Sequence, residues 1–172
     1  VDAPESEDIY PVGVVCRIRQ QLHQAHGNVC RTLVEGLYRA KASDIDVDGK
    51  CITAEVSPLP DVKDKIAQVR LEAVLRNCLS LFEEYVHINS DMLNEQLLNI
   101  FANPEPSFVS FYIAHHARFD PANKQKLLEE RSPYRRLQLL CRLLNNELNV
   151  LAIEKELNDA AQEAMNRSQR EY

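Results

Sequence analysis

No glycine occurs beyond Gly49 and no proline beyond Pro133, so the carboxy-terminal part of this 172-residue chain lacks both residues that end helices. Ser132-Pro133 supplies a helix start, with a capping side chain before a proline at the first helical position, where its missing N–H costs nothing. A single helix of about 40 residues is expected, extending roughly 60 Å at 1.5 Å per residue. A domain of this size cannot enclose it. Its first half carries two apolar stripes, Leu137-Leu140-Leu144-Leu148-Leu151 and Leu139-Leu143-Val150-Leu157, suited to packing on other helices. After Leu157 only Ala160, Ala161, Ala164 and Met165 are apolar, so the far end is expected to leave the core.

All four glycines lie at or before Gly49, and that region reads differently. Val12 to Ile18 is an apolar, β-branched run, His26-Gly27-Asn28 a turn, and Val29 to Val34 a second strand. Leu37 to Val47, a turn at Asp48-Gly49, and Cys51 to Val56 continue the pattern. Pro58 and Pro60 interrupt strand pairing and mark a boundary. Beyond it, Asp61 is a plausible N-cap for a helix to about His87, in which Val74, Cys78, Leu81 and Tyr85 recur at three and four, with Leu75, Leu79, Phe82 and Val86 beside them. Ser90 caps a shorter helix through Phe101. Asn103-Pro104 opens another toward Ala117, and Asp120-Pro121 one ending near Glu130. The expected class is α+β: a small β-domain over 1–60, a helical subdomain over 61–131 and one long connecting helix over 132–172.

Composition excludes several functions. Hydrophobic residues make up 45% and charged ones 27%, as in a globular protein rather than a polar tail. The formal charge of -6 repels phosphate, which argues against nucleic acid as a partner. Arg131, Arg135, Arg136 and Arg142 form the densest cationic group, but arginines opening a long helix read as a solvated face. No apolar run approaches the roughly 20 residues that span a bilayer, and no signal peptide precedes the first strand, so no membrane partner is expected. Cys16, Cys30, Cys51, Cys78 and Cys141 are scattered and odd in number, which suggests reduced thiols in a cytoplasmic setting. In such a setting the glycosylation triplet Asn166-Arg167-Ser168 has no consequence.

Catalytic and cofactor motifs are missing. There is no phosphate loop, no Gly-x-Ser-x-Gly elbow and no H-E-x-x-H helix, so no catalytic, cofactor or metal residues are expected. His115 and His116 are adjacent on a helix, about 100° apart, and share one ion poorly. Cys78 and Cys141 fall on apolar stripes, where a thiol is usually inert packing. Leu140-Cys141-Arg142-Leu143-Leu144 has the form of a coactivator-docking leucine box, but the stripes assign its leucines to the core. The aromatic group Phe108, Phe111, Tyr112 and Phe119 can fill a core or anchor a peptide. With Met92 it supplies the candidate substrate-binding residues.

Three stretches resemble the Lon family of ATP-dependent proteases. Asp8 to Ile18 is similar to its acidic, Leu/Tyr, x-Val-Gly-Thr-x-Ala-x-Ile segment. Val29 to Ala40, with Leu33-Val34-Glu35-Gly36-Leu37-Tyr38-Arg39-Ala40, is close to its Leu-Val-Glu-Gly-x-x-Arg-Ala. Glu154-Lys155-Glu156 and Met165 through Gln169-Arg170-Glu171-Tyr172 resemble the helix leading to its ATPase. The resemblance implies a β-domain of Lon-N-like or PUA-like type whose first elements would precede Val1, since the family's opening Leu-Pro-Leu-Arg-type strand is missing. It implies that the parent binds ATP and Mg and cleaves with a Ser-Lys pair outside this segment. It also implies unfolded or tagged proteins as partners, and self-association through the long helix or an exposed β edge. The cellular setting is cytoplasmic, with the mitochondrial matrix as alternative. The rival reading is a stand-alone small-ligand binder of the same β type, as in cereblon-type proteins; the Trp cage used there is impossible in a chain without Trp.

Overall fold

The β-branched residues between Val12 and Val56 form a three-stranded antiparallel sheet in the order β1-β2-β3: β1 Val12–His23, β2 Cys30–Asp46 and β3 Thr53–Pro58. The computed structural model describes residues 4–23, 30–48, 51–63, 65–88, Ile100 and 102–170. The turn expected at 26–28, the helix expected to start at Ser90 and the candidate Met92 lie outside the described residues.

The strands exceed the apolar runs. β2 joins two expected segments through Gly36, next to a register shift where Val15 pairs with Tyr38 but Cys16 with Gly36. A Cβ at Gly36 would meet Val14 Cγ1 at 3.3 Å, so glycine allows the close approach that the bulge brings. Further irregularities lie between Ile18 and Gln20 and between Ser43 and Asp46, and at the latter Asp44 adopts a φ of 49°, a conformation few non-glycine residues take. Pro58 does not stop pairing. It closes β3 opposite Ala40, at an edge-strand end where its missing N–H withholds nothing from the ladder.

Contacts divide the chain into two units, Val1–Val62 and Lys63–Tyr172. In the first, the buried apolar side chains among the described residues are Val12 and Ala40, which lie in adjacent strands at one end of the sheet. Beside them Ala42 donates its backbone N–H to Pro11 and Leu59 to Arg39, while the Arg39 guanidinium pairs with Asp61. Elsewhere the sheet is open, with Ile18 60% and Leu33 61% exposed. Asp61 is thus the terminal ion-pair partner of the β unit and not a helix cap.

The second unit contains four helices among the described residues: α1 Gln68–Ile88, α2 Pro106–His116, α3 Pro121–Glu129 and α4 Pro133–Arg170. α1 starts at Gln68, six residues later than an N-cap at Asp61 implied. It buries Cys78, Phe82, Tyr85 and Val86, residues from both of its stripes. α2 starts at Pro106 rather than Pro104, because the Glu105 carboxylate accepts hydrogen bonds from the Ser107 and Phe108 amides. α3 is capped as expected, by Asp120 accepting from Asn123 N–H.

α4 spans 38 residues, about 57 Å. Leu137, Leu140, Leu144 and Leu148 are buried against Phe82, Tyr85, Val109, Ile113 and Leu127. The second stripe is corrected. Leu143 is buried and Leu139 partly so, but Val150 is 49% and Leu157 65% exposed. The reason is length, since α1 at 21 residues reaches only about 32 Å and cannot cover the rest. From Asn149 to Asn166 every side chain is exposed except the half-buried Leu151.

Leu144 lies at the centre of this packing, fully buried. Leu144→Ala is expected to destabilise the helical unit by about 2–5 kcal/mol, read as a lower urea midpoint at unchanged slope. An unchanged midpoint would contradict the packing.

Candidate functional site

α2 is apolar on nearly all sides, and its two faces have different fates. Val109, Ser110, Ile113 and Ala114 point into the core. Phe108, Tyr112 and His116, spaced four apart, form a ladder along the other face. The Phe108 and Tyr112 rings are 5.5 Å apart between centroids, and those of Tyr112 and His116 4.4 Å. Phe108 is 37% exposed, Tyr112 and His116 partly so. His115 stands edge-on to His116 at 4.8 Å.

The helix bearing this ladder is held by Arg136, from the first turn of α4. Its Nε donates to Ser110 Oγ, Nη1 to the Glu130 carbonyl and Nη2 to Ser107 Oγ, each at 2.7 Å. Its guanidinium carbon lies 4.0 Å from the centroid of the Phe111 ring. The planar fork thus binds the first two turns of α2 and the start of the α3–α4 connection, while stacking on an aromatic face. Arg136 is fully buried, so reading all four arginines as a solvated face was wrong for this one. Arg131, Arg135 and Arg142 are exposed. The spacing contains the signal that was missed: Arg136, Leu140 and Leu144 are four apart, which places the arginine on the buried stripe.

The structure therefore separates the candidate aromatics. Phe108 and Tyr112 meet on the exposed ladder. Phe111 lies under the guanidinium, and Phe119, at 7% exposure, belongs to the core. His116, which the sequence reading gave no binding role, joins the ladder. The leucines of the Leu140–Leu144 segment are buried, as the stripes implied. Tyr85 fixes the chain after α2, its hydroxyl accepting from the Arg118 amide at 3.1 Å.

Burial, with the neighbouring His115 second, holds the His116 imidazole below its ordinary value. On α4, burial raises the Glu147 carboxyl, with Asp120 and Glu154 adding to the shift. No group of three or more His, Cys, Asp or Glu side chains among the described residues is placed to hold a metal, and no helix among them is long and apolar enough to cross a membrane.

An α+β chain with these motifs is of the class of protease substrate-binding domains. The chain belongs to the family described as the ATP-dependent protease La (LON) substrate-binding domain, which matches residues 1–146. It is 36% identical to a Lon protease of Syntrophomonas wolfei over 99% of this chain and 21% of that one. It is 31% identical to the Lon protease of Brevibacillus choshinensis over 100% of this chain and 22% of that one. The chain thus spans about a fifth of the length of these relatives. The fold is also that of the N-terminal domain of Mycobacterium avium complex Lon protease, with a TM-score of 0.64 at 23% identity, covering 83% of this chain and 75% of that one. The resemblance read from three sequence stretches is borne out, and the stand-alone small-ligand reading is not favoured.

Two expectations follow from the site. Arg136→Ala leaves Ser107, Ser110 and the Glu130 carbonyl without this donor, and is expected to cost about 3 kcal/mol. Arg136→Lys should lose most of the same stability, because an ammonium cannot reach three acceptors and stack at once. Denaturation of Arg136→Lys within about 0.5 kcal/mol of the parent would refute the clamp. The second concerns pH. A histidine whose folded pKa lies below its unfolded value binds protons more readily when unfolded, so its stability contribution is complete above the ordinary histidine pKa and declines as pH falls through it. The position of His116 in the last helical turn partly offsets this, since the helix dipole favours a cation there. Between pH 7.5 and 5.5 the parent should lose more stability than His116→Gln, measured as the difference in urea midpoints; parallel profiles would overturn this.

Proposed function

We propose that the chain is the substrate-capturing segment of a Lon-type ATP-dependent serine protease, and that the Phe108–Tyr112–His116 ladder is a surface on which unfolded or tagged polypeptides dock. The observation that carries the reading is a row of accessible rings on a helix that Arg136 holds rigid. Aromatic side chains offer large contact area at small cost in conformational entropy, and rings fixed in advance lose less on binding than mobile ones. Unfolded proteins differ from folded ones in offering extended apolar segments, and that chemistry suits such a row. Met92 remains a proposed substrate contact by residue type alone. Phe111 contributes by supporting Arg136, and Phe119 by filling the core.

The remaining roles follow from the family and from the two exposed features of the chain. ATP and Mg serve the motor of the parent, and peptide hydrolysis its Ser-Lys pair, both outside this segment. The exposed second half of α4 and the outer strands β1 and β3 of the described sheet are the surfaces offered for organising a homo-oligomer. The setting that suits five free thiols is the cytoplasm.

Phe108→Ala combined with Tyr112→Ala is expected to weaken binding of unfolded casein by about tenfold, with a moderate fall in melting temperature because Tyr112 also packs against the core. Fluorescence anisotropy of labelled casein measures it. Equal affinity in parent and variant would show that substrate binds elsewhere.

A further inference from the structure

The apolar residues of the exposed half of α4 have a period of their own. Val150, Ile153, Leu157, Ala160 and Ala164 recur at alternating steps of three and four, the repeat by which one helix lays a seam against another. The seam continues the side of α4 on which Leu139 and Leu143 pack into the helical unit. It lies roughly 150° around the helix from the buried Leu140, Leu144 and Leu148. Val150 is 49%, Ile153 57% and Leu157 65% exposed, and Ala160 and Ala164 are exposed as well. From Val150 to Ala164 the seam runs about 21 Å, a length that one partner helix of about 15 residues covers. An extended chain cannot follow it, because strand side chains alternate every two residues.

Charge decides what that helix carries. One flank of the seam bears Glu147 and Glu154, the other Glu156 and Glu163, each pair seven residues apart and so in line along the helix. None of the four forms an ion pair with a described side chain. The one cation between Leu143 and Asn166 is Lys155, which lies on the far side of the helix from the seam. Burial raises the Glu147 carboxyl, and repulsion from Asp120 and Glu154 adds to it, so negative charge is already crowded along that flank. A second copy would bring four more carboxylates to the same seam. An anionic membrane or a nucleic acid would be repelled by those present. Lysine or arginine beside an apolar stripe is the complement that both flanks attract.

We propose that this seam docks a basic amphipathic helix of another protein, with apolar residues opposite Val150, Ile153 and Leu157 and lysine or arginine beside the two glutamate rows. The large side chains nearest the core supply the apolar contact, and Ala160 and Ala164 let the partner's backbone come close at the far end. The site is separate from the Phe108–Tyr112–His116 ladder and does not rest on it. It also leaves the other faces of the rod and the outer strands for the homo-oligomer. Docking adds tertiary contacts to a stretch that has almost none of its own, and so orders the far half of α4.

The test uses the whole chain and a fluorescein-labelled synthetic peptide of about 21 residues, with isoleucine and leucine at its seam positions, lysine on both flanks and alanine elsewhere. A companion peptide carries glutamate in place of lysine. By fluorescence anisotropy the lysine peptide is expected to bind at least tenfold tighter than the glutamate peptide. Leu157→Asp should weaken the lysine peptide about tenfold or more, since it removes the central apolar contact. Glu154→Lys combined with Glu156→Lys should invert the preference between the two peptides. These side chains are exposed, and equal urea midpoints confirm that each variant keeps the fold. Lysine-peptide affinity unchanged in Leu157→Asp would mean attraction to an acidic chain at large, and would overturn the proposal. A preference that fails to invert would do the same. Sedimentation showing that the chain alone is a dimer, and that Leu157→Asp is a monomer, would assign the seam to a second copy instead. Casein binding should be unaltered in Leu157→Asp; its loss would make the seam part of the substrate surface and refute a separate site.

Discussion

The helical unit depends on the Arg136 guanidinium. Burying a cation costs several kcal/mol unless its donors are used, and here each nitrogen of the fork donates to an oxygen while the flat face rests on Phe111. The acceptors come from different places in the chain. Ser107 and Ser110 lie on α2, and Glu130 lies in the connection that Ser132 and Pro133 turn into α4. Ser110 Oγ accepts from Arg136 and donates to the Ser107 carbonyl, so the same hydroxyl ties the guanidinium to the α2 backbone. An aliphatic residue at 136 could fill the volume but would remove the donor that Ser107, Ser110 and the Glu130 carbonyl share. The geometry is therefore specific to arginine, and the α2 ladder inherits its rigidity.

Local chemistry in the sequence was readable wherever one side chain had one plausible use. Asp120-Pro121 and Ser132-Pro133 each put a capping side chain before a helix-compatible proline, and a helix follows each. Where two uses competed, tertiary structure decided. Asn103-Pro104 and Glu105-Pro106 both offer a start, but the longer glutamate carboxylate reaches two successive orphan amides and takes the cap. Asp61 could cap a helix or accept a salt bridge. The half-buried Arg39 claims it, and α1 begins only at Gln68. Neither partner's choice is visible in periodicity, because 22 residues separate them. Of the candidate site, Phe108 and Tyr112 were proposed by residue type, and their rings lie 5.5 Å apart on one face of α2. Their separation from Phe119 needed the observed burial, and the part played by Arg136 required reading a charge on an apolar stripe as buried rather than as an exception.

The motif by which the chain resembles its family also has a physical meaning. In Leu33 to Ala40, Gly36 allows the close approach of Val14, Arg39 reaches Asp61, and Ala40 is one of two buried apolar side chains among the described residues of the β unit. The second half of the motif, Gly36 to Ala40, therefore runs toward the end of the sheet where the described residues of this unit pack. The opposite end, around Ile18 and Leu33, offers apolar surface that three strands alone cannot cover, which is the condition under which sheets recruit further elements.

The second half of α4 raises a question that burial alone does not answer: why a stretch with almost no packed side chains is helical. Nucleation is the costly step in helix formation, and the buried turns from Leu137 to Leu148 have already met that cost. Each later residue needs only to propagate, which alanine, glutamate and lysine do at little expense, and the absence of glycine and proline leaves no point of failure. The exposed half is thus helical by extension from the core. Its stability per residue is small and declines toward the end, so a modest contact along it can order or release it. A partner acting there would be felt by the same rod that, four turns earlier, carries Leu137 and Arg136 into the core beside the aromatic ladder.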